Sequence, residues 1–172
     1  MPDSTVATSD SVASWLRDLA IVAGDSVHRD GVTAWDVVLD GNRRLDLRVT
    51  LILDPATGVI VWAHLAPPLW DGLRKAYRAL LRWNDDFPLA KFSLADDGRP
   101  ILSVEIPHRW LDADEFGLAL ARVVGIADRL FDETRPWVWI GGHVPVGYAA
   151  RERRSQALLD RYRPRLPELF DT

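Results

Sequence analysis

The sequence predicts an α+β domain whose elements follow in the order helix, three-stranded antiparallel meander, helix, β-hairpin and helix. Apolar residues recur at spacings of three and four in three segments, as in helices with one buried face. In the intervening segments apolar and polar residues alternate, as in strands with one buried face. The 172 residues, 48% of them hydrophobic, are enough for one sizeable core and too few to expect two.

The N-terminal part of the chain predicts one helix and three strands. Asp10 or Ser11 is placed to cap the helix, and Gly24 is placed to end it. The apolar side of this helix consists of Val12, Trp15, Leu16, Leu19 and Ala23. The three predicted strands, which alternate and are separated by turn-forming residues, are residues 33–39, 45–53 and 58–65.

The central part predicts a second helix, a hairpin and a third helix. The apolar stripe of the second helix comprises Leu69, Leu73, Ala76, Tyr77, Leu80 and Leu81. The hairpin strands are residues 89–94 and 101–106, and Gly98 supplies the positive φ that their tight turn requires. Asp112 as N-cap, with Glu115 three residues later, opens the third helix. A hairpin between two amphipathic helices forms one side of a small α+β domain.

Several short motifs in this central part are similar to those of a known family. They are residues 79–84 (ALLRWN), 88–94 (PLAKFSL), 96–98 (DDG) and 111–116 (LDADEF). In these motifs the chain resembles the bacterial YbjN family, over roughly the first three quarters of its length. The resemblance implies the fold of the class I type III secretion chaperones. It also implies a small protein-binding module, often dimeric and in some members a sensory transduction regulator, without catalytic residues to carry over.

The chain divides into three predicted parts. Residues 1–9 are expected to be disordered, residues 10–135 to form the YbjN-like domain, and residues 136–172 to form a C-terminal extension. The extension starts with residues 136–148, which are too rich in Gly and Pro for a helix and too apolar for an ordinary linker. We expect this apolar segment to pack on its own domain or, alternatively, on a second subunit.

A basic helix is predicted at the end of the extension. Between Arg151 and Arg165 the sequence has six arginines and two acidic residues. The simplest interpretation is that the arginines cover the solvent side of a helix that docks through Leu158 and Tyr162. The alternative is a regulator that contacts nucleic acid or an acidic partner through this arginine-rich arm. The formal net charge of −4 argues against general nucleic-acid binding.

Four side chains are candidates for contact with a partner: Trp62, His64, Trp137 and Trp139. Trp62 and His64 lie opposite the inward-facing residues of their strand, so we expect them on an exposed face of the sheet. Trp137 and Trp139 belong to the apolar segment of the extension. Because aromatic side chains dominate cores and interfaces alike, a helix or the extension of the same chain is the alternative cover for Trp62.

Two helix faces compete as the interface of an expected homodimer. Gly117, Ala121 and Gly125 form a smooth stripe on the third helix, along which another backbone could approach closely. That backbone could belong to a second subunit or to the sheet of the same chain. The resemblance to the secretion chaperones instead favours the second helix, with Leu73 and Tyr77 in the interface.

Patterns typical of catalysis and metal binding are absent from the sequence. The four histidines are scattered, there is no cysteine, and no nucleophile or nucleotide-binding motif occurs. The pairs of Asp at residues 85–86 and 96–97 lie at a helix end and in a turn, where Asp serves local hydrogen bonds. We therefore predict no enzyme activity, no cofactor and no metal, with a metal-dependent hydrolase as a weak alternative. The main prediction is a non-catalytic protein-binding module, chaperone-like or regulatory, that captures a peptide or protein on an apolar surface.

The sequence also carries an expectation about location. Its first residues, MPDSTVATSD, lack the basic and apolar regions of a signal peptide, and no apolar run is long enough to cross a bilayer. Because the chain has no cysteine either, these features predict a cytoplasmic protein without membrane contact.

Overall fold

The protein folds around one antiparallel sheet that carries its helices mainly on one side. The structure is a computed structural model that describes residues 7–70 and 73–170. Within these residues the helices are α1 (Ser9–Asp18), α2 (Leu73–Asp86), α3 (Ala113–Arg129), α4 (Phe131–Val138), α5 (Gln156–Tyr162) and α6 (Pro167–Phe170). The strands are β1 (Val27–Arg29), β2 (Val32–Leu39), β3 (Leu47–Asp54), β4 (Gly58–His64), β5 (Lys91–Leu94) and β6 (Pro100–Pro107). Their order across the sheet is β1-β2-β3-β4-β6-β5, and every neighbouring pair is antiparallel.

The core lies between the sheet and α3. Along β2, β3 and β4, buried side chains alternate with half-exposed or exposed ones, so one face of the sheet carries most of the buried residues. One buried row that crosses the sheet consists of Trp35, Leu51, Val61 and Val104. Helix α3 packs over β4 and β6, and α1, α5 and α6 pack against α3. The helices therefore build up the core face in two layers.

The first helix begins earlier than predicted. Thr8 is its N-cap, and the Thr8 hydroxyl accepts a hydrogen bond from the Ser11 N–H (3.3 Å). The predicted disordered segment, residues 1–9, extends too far, because Ala7 is buried and Thr8 caps the start of α1. Residues 1–6 of that stretch lie outside the described part of the chain.

Helix α1 also ends earlier than predicted, at Asp18 rather than near Gly24. Ala20 adopts a left-handed conformation (φ 55°), which ends the helical path. Ala23 then pairs with Val37 of β2 as an isolated bridge. The apolar residues after Asp18 therefore reach the core from an extended segment instead of a fourth helical turn.

The sheet has one strand more than the five predicted. The additional strand, β1, has three residues, all exposed, so its sequence shows no alternation of buried and exposed positions. Asp30 and Gly31 connect it to β2 with φ of 51° and 81°, the left-handed conformations of a tight two-residue hairpin loop. The Asp-Gly pair was thus the only strong sequence signal for this strand.

Helix α2 buries a narrower stripe than predicted. Its buried residues are Ala76, Leu80 and Trp83. Tyr77 and Leu81, which belonged to the predicted stripe, are 45% and 70% exposed. Each follows a buried residue by one position, which rotates it by about 100° around the helix. Leu69 precedes the helix, and its N–H donates to the carbonyl of Gly98 (3.1 Å).

The C-terminal extension folds back on its own domain. Helix α4 runs through Pro136 to Val138, so the predicted boundary after residue 135 falls inside a helix, and the expectation that this segment cannot be helical is wrong there. The proline is tolerated because it lies in the last turn, where it removes a single hydrogen bond. Helix α5 then buries Leu158, Leu159 and Tyr162 on the side of α3, where α6 buries Leu169.

The small-residue stripe of α3 is covered by these C-terminal helices. A Cβ at Gly117 would lie 2.2 Å from the hydroxyl of Tyr162, and one at Gly125 would lie 2.8 Å from the ring of Phe170. Ala121, between them, is fully buried. The expectation that Gly117, Ala121 and Gly125 meet a second subunit is therefore not met in this structure, and the neighbour is not the sheet either. The predicted close approach of another backbone is not what fills this space, because the atoms nearest to Gly117 and Gly125 belong to side chains of the extension.

Arginines of the extension bind the loop between β2 and β3. The Nε of Arg154 donates to Asp40 (2.9 Å), and Arg154 also pairs with Asp46. Arg151 donates to the other carboxylate oxygen of Asp46 (2.9 Å). Arg165 pairs with two carboxylates in the first turn of α3. Much of the positive charge of the predicted arm is therefore neutralised by the domain on which it lies.

Candidate protein-binding face

The face of the sheet opposite the core is the surface on which partner-binding side chains were expected. We call it the open sheet face, and its residues are Asp36, Val38, Arg48, Thr50, Ile52, Ile60, Trp62 and His64, together with Lys91 and Glu105. All of them are exposed or half-exposed. Ile101 and Ser103 of β6 point to the same side but are buried. This face is thus accessible over β2, β3 and β4.

An aromatic pair lies near the middle of the open sheet face. Trp62 and His64 are neighbours on one side of β4, and their rings stack with centroids 5.9 Å apart and an interplanar angle of 22°. Across the strands, Trp62 stands opposite Thr50 on one side and Ser103 on the other. Small neighbours leave the faces of a large ring accessible. Trp62 therefore offers a rigid apolar surface on a face that also carries polar groups and aliphatic side chains.

A chain of hydrogen bonds fixes this pair in place. Arg99 Nη1 lies 3.2 Å from His64 Nδ1, His64 Nε2 lies 3.4 Å from Thr50 Oγ1, and Thr50 Oγ1 donates to Asp36 Oδ1 (2.7 Å). Because a guanidinium can only donate, Nδ1 accepts and Nε2 carries the imidazole proton. Thr50 can then accept from His64 while its own proton goes to Asp36. The chain has one direction, and it requires a neutral His64.

The electrostatics of the site agree with a neutral imidazole. Partial burial lowers the pKa of His64 below its ordinary value, and the positive charge of Arg99 lowers it further. Asp36 opposes this shift from the far end of the chain. His64 is therefore uncharged at neutral pH, and acidification would place a proton on the nitrogen that faces Arg99.

The structure does not bring the four predicted partner-binding residues together. Only Trp62 and His64 share the open sheet face. Trp137 packs against Trp83 of α2 with ring centroids 5.5 Å apart and an interplanar angle of 46°. Trp139 meets Tyr148 edge-on at 5.0 Å. Both extension tryptophans thus serve to attach α4 and the following loop to the domain, the within-chain alternative for the apolar segment.

Three residues of the hydrogen-bonded chain were missed by the sequence analysis. Asp36 and Thr50 alternate with core residues in β2 and β3, and Arg99 follows the hairpin turn. Each was visible as a polar residue on an outward position. Their alignment with His64 depends on the register between strands, which is Asp36 to Thr50 and Arg48 to His64. Periodicity within one strand contains no information about that register.

The two competing dimer surfaces differ in accessibility. Tyr77 is exposed on the outer side of α2, and Leu73 is half-exposed at its start. Leu81, one turn after Tyr77, extends the same exposed apolar strip. The stripe of α3, by contrast, is covered by the extension. The helix favoured by the resemblance is thus the one with free apolar side chains.

The described part of the chain contains neither a metal-binding cluster nor a membrane-spanning helix. In residues 7–70 and 73–170, no group of three or more His, Asp or Glu side chains could hold a metal ion. None of the helices described there is long and apolar enough to cross a membrane. The open sheet face itself is built from an aromatic pair, hydrogen-bonding groups and aliphatic side chains.

An α+β module with one helix-covered and one accessible sheet face is the class of protein that these features define. The sequence match is more specific. The model of the YbjN family, described as a putative bacterial sensory transduction regulator, matches residues 8–135, and the chain belongs to this family. The match ends inside α4, so α5, α6 and the loop before them lie outside it. No curated protein matches the chain.

Proposed function

We propose that this protein is a non-catalytic regulatory module that binds a protein or peptide partner through its open sheet face. The observation that carries the proposal is the stacked pair Trp62 and His64, held by hydrogen bonds on an accessible part of the sheet. A rigid aromatic surface surrounded by polar groups is typical of the central contacts in protein interfaces. The family's description as a sensory transduction regulator supports a regulatory outcome.

The architecture supports a chaperone-like variant of this proposal. Strands β2, β3 and β4 are consecutive neighbours, β5 and β6 form a hairpin, and helices precede and follow them, as in the order expected for a class I secretion chaperone. A chaperone-like module would hold its client without changing it. The paired arginines of the extension favour this reading over the nucleic-acid alternative, because phosphate contacts require free positive charge.

The test compares folded variants in extracts of the native host. Immobilised wild-type protein and a Trp70→Ala control should retain a protein that Trp62→Ala does not retain. Trp70 is a suitable control because it is 84% exposed and does not belong to the open sheet face. With the purified partner, Trp62→Ala should weaken binding by about tenfold or more. A folded Trp62→Ala variant that retains the same proteins as the wild type would contradict the proposal.

We further propose that the module is a homodimer joined through α2. Leu73, Tyr77 and Leu81 supply apolar contacts on its outer side. Light scattering should give twice the chain mass of 19.4 kDa for the wild type and the single-chain mass for Tyr77→Asp, with circular dichroism unchanged. Arg74→Asp, on a neighbouring exposed position of α2, controls for the added charge. A wild-type protein that stays monomeric at high micromolar concentration rules this interface out.

A further inference from the structure

The hairpin that ends the sheet leaves part of β6 without a second neighbour. Strand β6 has eight residues, whereas β5 has four. β5 pairs only with Pro100 to Ser103 of β6, and β4 pairs along β6 as far as Pro107. Residues 104–107 therefore have a strand on one side only. We call this stretch the free edge of β6, and its length is about 13 Å at the usual rise per residue.

The direction of the main chain along the free edge follows from two hydrogen bonds. The Leu65 N–H donates to the Pro100 carbonyl (3.0 Å), and the His108 N–H donates to the Thr57 carbonyl (3.3 Å). Even-numbered residues of β6 therefore direct their N–H and carbonyl groups towards β4, because the direction alternates along an antiparallel strand. Glu105 directs both of its main-chain groups to the side that β5 does not reach.

A comparison with the outer edge of β5 shows what is missing there. The side chain of Asn84 accepts from the Phe92 N–H (2.8 Å) and donates to the Phe92 carbonyl (3.2 Å). One amide side chain thus takes the place of a further strand beside β5. At Glu105, no side chain in the described part of the chain makes either bond. The two main-chain groups of Glu105 are available to an incoming strand.

A groove runs along the free edge. Its volume is about 1090 Å³, and it lies between the free edge, the start of β5 and the first half of α3. Two exposed apolar side chains line it, Leu89, which is 76% exposed, and Trp110, which is 59% exposed. Leu118 and Ala119 of α3 line the side towards the core. A strand added here would direct every second side chain towards α3.

The charges that line the groove are unequally satisfied. The three acidic side chains have partners: Glu105 binds Lys91 (2.8 Å), Glu115 lies 3.4 Å from Arg165, and Asp112 caps α3. Lys91 is thereby paired as well, but the two arginines of the groove have weaker partners. Arg122 has a side chain only 18% exposed, and its nearest carboxylate, on Glu168, is 3.7 Å away. Arg109 lies over the Trp110 ring at 4.2 Å and has no carboxylate partner among the described residues. The groove therefore has positive charge to offer to a ligand.

We propose that this groove binds an extended acidic peptide segment of a partner protein, which adds to the sheet as a further strand. Its main chain pairs with Glu105, its apolar side chains enter between Leu89 and Trp110, and its carboxylates reach Arg109 and Arg122. This mode of recognition combines main-chain hydrogen bonds for affinity with side-chain pockets for specificity. The site is separate from the Trp62 and His64 pair and does not depend on it.

The experiment uses two fluorescein-labelled octapeptides, one of alternating valine and aspartate and one of alternating valine and lysine. Fluorescence anisotropy should show that the wild-type protein binds the aspartate peptide at least about tenfold more tightly. Hydrogen exchange at the Glu105 amide should slow when that peptide is bound. Equal binding of both peptides, or no binding at millimolar concentration, overturns the proposal.

Two substitutions at one position separate main-chain recognition from charge. Glu105→Pro removes the N–H that points away from β4, and an edge strand tolerates proline at such a position. Glu105→Pro should lower the affinity for the aspartate peptide by about tenfold. Glu105→Gln, which keeps the N–H, should bind this peptide at least as tightly as the wild type does. Arg122→Gln should lower the affinity for the aspartate peptide by about threefold or more and leave the affinity for the lysine peptide unchanged.

The remaining outcomes are also decisive, provided that circular dichroism shows both Glu105 variants folded. Undiminished binding by Glu105→Pro would assign the peptide to another surface and overturn the proposal. A wild-type dimer that Glu105→Pro converts to a monomer in light scattering would show that a second copy occupies the free edge, which also overturns it. Loss of peptide binding in Glu105→Pro but not in Trp62→Ala would support the groove independently of the Trp62 and His64 pair.

Discussion

The two faces of the sheet differ in burial and in side-chain chemistry. The core face carries rows of aliphatic and aromatic residues under α3, and α1, α5 and α6 add a second layer. The open sheet face carries a hydrogen-bonded chain, one stacked aromatic pair and exposed charges. Both faces belong to the same strands, so every second residue is buried in the core and the residues between them remain accessible. The difference teaches that substitutions one position apart should have very different consequences.

The strongest way to break this comparison replaces one tryptophan on each side of the sheet: Trp83 of α2, which packs on the core face, and Trp62 of the open sheet face. Trp83 is 1% exposed and packs against Phe92 (5.4 Å) and Trp137 (5.5 Å), so Trp83→Ala should lower the free energy of unfolding by about 3–5 kcal/mol. Trp62→Ala removes the same side chain from the open sheet face and should lower it by about 1 kcal/mol. Urea denaturation measures both. Equal losses would mean that the open sheet face is covered.

A second prediction concerns the acidic loop that the extension holds. Asp40 is fully buried and accepts hydrogen bonds from the N–H of Asp46 (2.8 Å) and of Arg154 (3.0 Å). Asp40→Ala leaves these donors unpaired and should lower the free energy of unfolding by about 3 kcal/mol. Asp46→Ala, at a half-exposed carboxylate, is the control and should lower it by less than about 1 kcal/mol. A larger loss for Asp46→Ala would contradict this reading.

The same carboxylate predicts a dependence on acid. Burial raises the pKa of Asp40, but hydrogen bonds from Arg154 and Asp46 outweigh it, and the pKa lies below its ordinary value. Since the folded state favours the ionised form, this stabilisation is complete above pH about 4 and is lost as the pH falls through the folded pKa. Urea denaturation at pH 5 and below pH 4 should therefore show a smaller acid-induced loss in Asp40→Ala than in the wild type.

A third prediction tests the packing of the extension on α3. In Gly117→Ala the new methyl group must displace the Tyr162 hydroxyl, and we expect a loss of about 1–3 kcal/mol despite alanine's better helix propensity. Gly24→Ala is the control, because its nearest neighbour atom would be 3.7 Å from the new Cβ. Thermal unfolding followed by circular dichroism measures both variants. A stabilised Gly117→Ala would show that α5 does not lie against this stripe.

The smallest predicted effect is the pH dependence of the open sheet face. Because the pKa of His64 is lowered by folding, the unfolded state binds more protons than the folded state below pH about 6.5. Stability is therefore complete above that pH and decreases as the pH falls through the interval between the two pKa values. His64→Gln should show a shallower decrease between pH 7.5 and about 5. Identical slopes for the two proteins would contradict a neutral, hydrogen-bonded His64.

Local patterns predicted the elements whose signals are contained in a few consecutive residues. Asp112 caps α3 as predicted. Its carboxylate accepts hydrogen bonds from the N–H groups of Asp114 and Glu115. Strand β4 occupies residues 58–64 with the expected alternation, which placed Trp62 and His64 on the same side. In both cases the chemistry that decides the structure lies within one turn or one strand.

Contacts between distant segments could not be read in this way. The exposed strand β1 has no alternation, and the helical turn that contains Pro136 carries Trp137, which packs on the distant Trp83 of α2. The hydrogen bonds between α3 and the loop after β2 are another example. Asp128 of α3 accepts from the N–H groups of residues 42–44, and a Cβ at Gly41 would lie 2.2 Å from that carboxylate. Neither partner suggests the other by its position in the sequence.

The cover that α5 and α6 place over α3 has a consequence for how the chain is made. Leu158, Tyr162 and Leu169, which complete the buried layer, are translated after the sheet and α3. Until they have left the ribosome, the stripe around Gly117 and Gly125 remains uncovered and apolar. We therefore expect the nascent domain to complete its core only after these residues emerge, and to expose an apolar helix face until then.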